Sequence, residues 1–307
     1  MTKRNALIKC LTMGMVAYER KYGPLAGIQS PDRRDSLIAQ LADSVRRIEY
    51  VAKLRTLNIS QSRDDADSHH FDPLLSAIRH VAVGNINEAY WLVFLFVHFG
   101  RHRTAGWRLA RDVYAGTGAG KRWTWANVSK NPGAFVKWLA AARLRWAVDG
   151  VRRHFGNHRK YESLKTTGAV IESYVEWMES SGGPLGLIAA NGGGPGATPG
   201  LLFDALYRSM DAVHRFGRTA KFDFLTMIGK LGLADISPSK AYLVGATGPL
   251  KGSRLLFANS PKANLKANDL EKRLVDLGAA LGVGQQVLED GLCNWQKSPS
   301  SYRPFRG

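Results

Sequence analysis

RRDSLIAQLADSVRRIEYVAKLR, residues Arg33 to Arg55, sets Leu37, Leu41, Val45 and Ile48 at three- and four-residue spacing, and Leu54 continues the face. A chain turning every 3.6 residues brings these side chains onto one stripe, so the stretch reads as an amphipathic helix. Working outward, the same spacing predicts helices over roughly 72–83, 86–99, 103–114, 132–148, 166–180, 199–214, 219–231, 237–244, 267–281 and 284–296, several opened by a capping Asp, Asn, Ser or Thr. Alternating strand patterns are scarce, and the expected fold is all-α and multi-helical. One stretch interrupts the pattern: SGGPLGLIAANGGGPGATPG, Ser181 to Gly200, whose glycines and prolines oppose a regular element. The expected organisation is a helical lobe over 1–180, a loop or linker over 181–200 and a second helical lobe over 201–307.

With 307 residues and 45% hydrophobic side chains the chain can bury a proper core, which excludes a disordered tail. Lys and Arg number 43 against 25 Asp and Glu, a net charge of +18. A field of that sign favours a polyanionic partner, with nucleic acid first. Cys10 and Cys293 are the only cysteines, too few for a disulfide framework or a Cys-rich zinc site, and a reducing cytoplasm is expected. The longest apolar run, Ala89 to Val97, is about half of the roughly 20 residues a spanning helix needs, and MTKRNALIKC has no cleavable apolar run. A soluble protein without membrane contact is expected.

Three short strings are alike: HFGRHR at His98–Arg103, HFGNHR at His154–Arg159 and FGR at Phe216–Arg218. Their flanks do not match, so a helix end carrying Gly and cationic side chains, used more than once, explains them better than a structural repeat. His98/His102 and His154/His158 have the i,i+4 spacing of paired metal ligands. Gly100 and Gly156 interrupt the pairs, Arg101, Arg103, Arg152, Arg153 and Arg159 surround them, and no third ligand is near, so no metal is expected. Helix-end or core histidines, or contacts to phosphate by His98, Arg101 and His102, remain open.

Asn157, His158, Arg159, Lys160, Tyr161 and Glu162 form the densest polar cluster, with Phe155 and Tyr161 as anchors, and fit a phosphodiester through charge-assisted hydrogen bonds, the alternative being a solvated basic loop. In HRFGRTAKFDFLTMIGKLGLADISPSKAYL, His214 to Leu243, a turn at Phe216-Gly217 feeds a helix whose first amides near Arg218, Thr219 and Lys221 suit an anion. Asp235 follows Ala220 by fifteen residues and is expected to open a further helix, with Lys240 behind it. Asp223, between Phe222 and Phe224, and Glu88, beside Asn87 at the start of the most apolar helix, are rival carboxylates, each with a structural alternative as a helix-face or first-turn acid. Most of the eight tryptophans belong to the core, and one or two aromatics near a basic cleft could stack on an extruded base.

Gly217, Thr219, Ala220 and Asp235 resemble the hairpin and catalytic aspartate of the helix-hairpin-helix DNA glycosylases over about thirty residues. The usual Leu-Pro-Gly-x-Gly is replaced by His-Arg-Phe-Gly-Arg, and Arg218 stands where bifunctional members carry a nucleophilic lysine. A guanidinium cannot form a Schiff base, so the resemblance implies a monofunctional enzyme. RRDSLIAQLADSVRRIEYV, NINEAYWLVFLFVHFGRH, GWRLARDVY, FGNHRKYES, AVHRFGRTAKFDFLTMIGKLGL, YLVGATGPLKGSRLLF and GVGQQVLEDGLCNWQKSP are similar, over nearly the whole chain, to the third clade of the α-glutamyl/putrescinyl thymine pyrophosphorylase family.

Together the two resemblances imply a two-lobed helical enzyme on DNA with modified pyrimidines, expected duplex, with no cofactor. The leading expectation is excision of a glucosylated or otherwise 5-substituted hydroxymethylpyrimidine from phage DNA, leaving an abasic site, in defence against phage. Asp235 would then face the oxocarbenium sugar. The alternative is amine transfer onto a 5-pyrophosphoryloxymethyl pyrimidine with loss of pyrophosphate. A non-catalytic DNA-binding module is a third reading.

Overall fold

Thr2 accepts the Asn5 amide at 3.2 Å and so opens the first helix of the chain. The computed structural model describes residues 2–304. In chain order the helices are α1 (Lys3–Tyr22), α2 (Pro31–Leu54), α3 (Pro73–Ala82), α4 (Ile86–Phe99), α5 (Arg108–Tyr114), α6 (Trp125–Lys130), α7 (Pro132–Trp146), α8 (Leu164–Glu179), α9 (Pro184–Ala190), α10 (Pro199–Ser209), α11 (Arg218–Leu231), α12 (Gly248–Ala258), α13 (Ala267–Leu281) and α14 (Gln285–Trp295). No strand occurs among the described residues, and the fold is all-α.

Contacts gather the chain into two units, Met1–Ala52 with Ser237–Gly307, and Lys53–Ile236. In the first, α1 packs on α13 and α12 on α14. Leu11, Met15, Leu37, Leu41, Leu256, Leu274, Leu288 and Trp295 make its core. The α1–α13 approach is close enough that a Cβ on Gly14 would lie 2.5 Å from the Ala280 carbonyl, so glycine is required there.

In the second unit α4 is the central element, with α3, α11, α5, α6 and α9 packed on it. Its apolar run explains itself: Ala89 to Leu95 are all buried, because neighbours cover the helix on every side. Asp72 caps α3 by accepting the Leu74 and Leu75 amides, and Gly100 ends α4 at φ 64°.

Several expected boundaries are corrected. The segment 181–200 is not without regular structure: Pro184 follows Gly183 (φ 88°) and starts α9, which packs on α4. The contacts accordingly do not divide the chain there. No helix forms at 237–244; Pro238 lacks an amide proton, Tyr242 has φ 49°, and the Leu243 amide donates to Glu271 Oε1 at 2.6 Å instead of to a helical carbonyl. The next helix is α12, which the spacing does not predict, as it does not predict α1.

Candidate active site

Three Phe-Gly corners meet within residues 53–236. Gly156 donates its amide to Phe99 O at 2.7 Å, and a Cβ on Gly156 would lie 2.7 Å from the Gly100 carbonyl carbon. The HFGRHR and HFGNHR strings are therefore two corners laid backbone to backbone. His102 and His154 face each other across them at 4.8 Å between ring centres. Beneath runs a chain of rings: Phe216 stacks on Phe94 at 5.4 Å, Phe94 on His98 at 5.6 Å, and His98 meets Phe155 edge-on at 5.8 Å.

On this footing the polar cluster turns one residue inward. Arg159 is 9% exposed, and donates from Nε to Val97 O at 2.7 Å and from Nη2 to Asp223 Oδ2 at 2.9 Å. Asn157, His158, Lys160 and Tyr161 remain exposed. Glu162 lies 3.9 Å from Arg215 Nε, and Arg215 holds the left-handed φ of 54° immediately before Phe216. The loop is thus tied to α11 by the Arg159–Asp223 hydrogen bond, while Glu162 and Arg215 make only a longer ion contact.

Asp223 is the carboxylate of this junction. Its side chain is 46% open to solvent, yet protein atoms crowd the carboxyl as in an interior. Burial raises its pKa above the ordinary value, against the pull of Arg159 first, then Lys230, Arg218 and His158. A raised carboxylate ringed by cations can accept a proton and sit beside an anion. Close by, no side chain caps α11 at Gly217, its first helical bond is Lys221 N–H to Gly217 C=O, and among the described residues no acceptor takes the Thr219 or Ala220 amides. Arg218 lies over the Phe222 ring at 4.8 Å.

Other expected site residues have different places. Glu88 is 5% exposed; its Oε1 accepts the Tyr114 hydroxyl and its Oε2 the Trp125 amide, each at 2.8 Å, so it braces α4 against α5 and α6 and does not face substrate. Burial raises its carboxyl, opposed by those two donors. His98 is corrected from DNA contact to core histidine: it is 3% exposed, 3.2 Å from Thr167 Oγ1, and held neutral with a pKa lowered to about 3 by burial and by Arg159. Lys221 is buried, ion-paired to Asp211 at 2.5 Å and set over the Tyr207 ring, so it cannot grip phosphate. Arg159 is likewise committed to internal partners. Tyr161, expected to anchor the cluster, is 81% exposed.

Asp235 is exposed in the bend after Gly232, and the helix it was expected to open is absent. Lys240 belongs to the first unit, where it pairs with Glu271 at 3.2 Å. Arg101 and Asn87 are exposed, and His102 Nδ1 accepts the Ala105 amide. Sequence reasoning missed Lys230 and Arg215, and reached Glu162 only as the end of the polar cluster. Lys230 had a legible signal, since it stands seven residues from Asp223, two turns along one helix face.

A separate cavity of about 520 Å³ is lined by Gln61, Ser62, Asp64, Asp65 and Arg122. Its acids are already answered: Arg122 holds Asp65 and Asp67 at 2.8 Å, and His80 lies 3.2 Å from Asp64. Among the described residues no group of three His, Cys, Asp or Glu could hold a metal, and no helix is long and apolar enough to cross a membrane.

A family model described as alpha-glutamyl/putrescinyl thymine pyrophosphorylase clade 3 matches residues 32–307. No curated protein and no solved structure matches the chain.

Proposed function

The chain belongs to the alpha-glutamyl/putrescinyl thymine pyrophosphorylase clade 3 family, and on that premise we propose that it is a transferase that replaces pyrophosphate on a 5-pyrophosphoryloxymethyl pyrimidine in DNA with an amine. The observation that carries this reading is the Asp223 carboxylate held by Arg159 at 2.9 Å near the start of α11, with Lys230, Arg218 and His158 close enough to act on its charge. In the reaction the amine nitrogen bonds to the 5-methylene carbon, the carbon–oxygen bond breaks, and pyrophosphate leaves with the electron pair. The nitrogen sheds one proton, and Asp223 accepts it. Desolvation makes the carboxylate a stronger base than one in water, which is what this step needs.

The cations serve the other half of the displacement. Negative charge develops on the departing oxygen, and Arg218, Lys230 and His158 stabilise it from fixed positions. Arg159 touches Asp223 and the Val97 carbonyl and so acts as a positioning residue. The open amides of Thr219 and Ala220 offer further donors to a phosphate.

This reading displaces base excision. The family description names a pyrophosphorylase of thymine, and an exposed Asp235 lacks the enclosure that gives a carboxylate its value beside an oxocarbenium ion. The test is incubation with DNA carrying 5-pyrophosphoryloxymethyluracil and a panel of amines, with pyrophosphate measured in solution and digested nucleosides weighed. Released pyrophosphate with a heavier base retained in the strand supports transfer; a free base and an abasic strand overturn it.

A further inference from the structure

We propose that Tyr161 is a base-stacking residue, presenting its ring to the π-face of a nucleobase unstacked from its strand. The proposal rests on the reading of DNA as substrate and names which group of the DNA this loop takes. Four observations bear on it. The Tyr161 ring is 81% exposed, more than the other two exposed tyrosines, Tyr50 at 60% and Tyr22 at 45%, while Trp91, Trp123, Trp295, Tyr174 and Phe94 are all less than 2% exposed. The ring is not on a loose tip: Arg159, two residues before it, is tied to Val97 O and Asp223, and Glu162, directly after it, faces Arg215. An exposed aromatic on a turn whose backbone is tied down through Arg159 loses less freedom on binding than one on a free tip, so contact to it costs less entropy.

The surroundings select the partner. Lys160 Nζ lies 5.2 Å from the centre of the Tyr161 ring, and Asn157 and His158 are exposed on the same turn. One face of the ring is thus backed by a cation, while amide and imidazole donors stand three or four residues away. A nucleotide offers both complements within one residue, a flat base for the ring and a phosphate for the donors. In a stacked duplex the base faces are occupied, so the base that meets Tyr161 belongs to a single strand or has been extruded. The loop that presents the ring also carries Arg159, which pairs with Asp223.

The experiment uses the full chain and unmodified, fluorescein-labelled single-stranded oligonucleotides, without amine or activated pyrimidine, so it reads binding independently of whether transfer occurs. Tyr161→Ala should weaken binding about 5- to 150-fold, the range for one stacked base, while Tyr161→Phe binds as the wild type does. The salt dependence of Tyr161→Ala should match the wild type, whereas Lys160→Ala should lower the slope by about one phosphate. An abasic residue is then walked along the strand. At one position it should cost the wild type the same factor that Tyr161→Ala costs and leave Tyr161→Ala unaffected. Equal abasic penalties for both proteins at every position would overturn the proposal, as would a Tyr161→Ala affinity equal to the wild type. Thermal unfolding should be the same for all, because the ring is outside the core. Failure of transfer with this binding pattern intact would sink the proposed reaction and not the stacking role.

Discussion

Arg159 Nη2 donates to Asp223 Oδ2 at 2.9 Å, joining a loop and a helix that are 64 residues apart in the chain. The same guanidinium holds the Val97 carbonyl through Nε, so one side chain sets the position of the carboxylate against the end of α4. The arginine is nearly enclosed, while the aspartate keeps a solvent-reached side.

Asp223→Asn should retain the fold and lose turnover by several orders of magnitude, because the amide cannot accept the amine proton. In the wild type, turnover should rise with pH as Asp223 ionises, with its midpoint above the ordinary carboxylate range because burial raises the group. Lys230→Ala removes a cation that lowers this pKa, so the rising limb should move to higher pH. A pH–rate profile with pyrophosphate release as the readout checks both. Undiminished turnover in Asp223→Asn would show that Asp223 is not the base.

Arg159→Lys separates positioning from charge. A lysine keeps the charge but cannot hold a carbonyl and a carboxylate in one rigid fork. Turnover should fall about 10- to 100-fold, with the pH limb displaced, while affinity for unmodified DNA stays within about twofold because Arg159 does not reach the phosphates. Parallel measurement of kcat and of DNA affinity tests this. A large loss of affinity with kcat unchanged would restore Arg159 to the DNA contacts.

Glu88→Ala should act on stability and not on chemistry. It strands the Tyr114 hydroxyl and the Trp125 amide without acceptors, a loss of about 2–5 kcal/mol in unfolding free energy for two buried donors. Urea unfolding reads the loss. Turnover per folded molecule, measured at low temperature where the variant stays folded, should match the wild type.

His98 makes the protein acid-sensitive. Its pKa is about 3 in the folded chain against an ordinary 6.5, so as pH falls below about 6.5 the unfolded chain takes a proton that the folded one refuses. Stability from this group should decline by up to about 1.4 kcal/mol per pH unit between those values. His98→Phe keeps the ring in the stack with Phe94 and removes the titration, so its unfolding free energy should be flatter across pH 4–6.5. Parallel curves for the two proteins would show that His98 ionises freely.

The helical class and the Phe-Gly strings that the fold lays together were legible in the sequence, because periodicity and composition are local properties. Leu37, Leu41, Val45 and Ile48 declare α2 by spacing alone, and the polar run from Asn157 to Tyr161 announces itself by composition. Spacing and composition could not tell which member of such a run turns inward. His98, Arg159 and Lys221 look like surface donors in the string and are interior in the fold, since burial depends on what packs against a side chain from elsewhere. The rank of the carboxylates was equally out of reach. Asp223 and Asp235 differ little as neighbours in sequence; only the fold buries the Asp223 carboxyl enough to raise its pKa against the opposing pull of Arg159, from 64 residues away, and of the cations beside it. Desolvation and Coulomb energy depend on distance in space, and that distance exists only once the chain is folded.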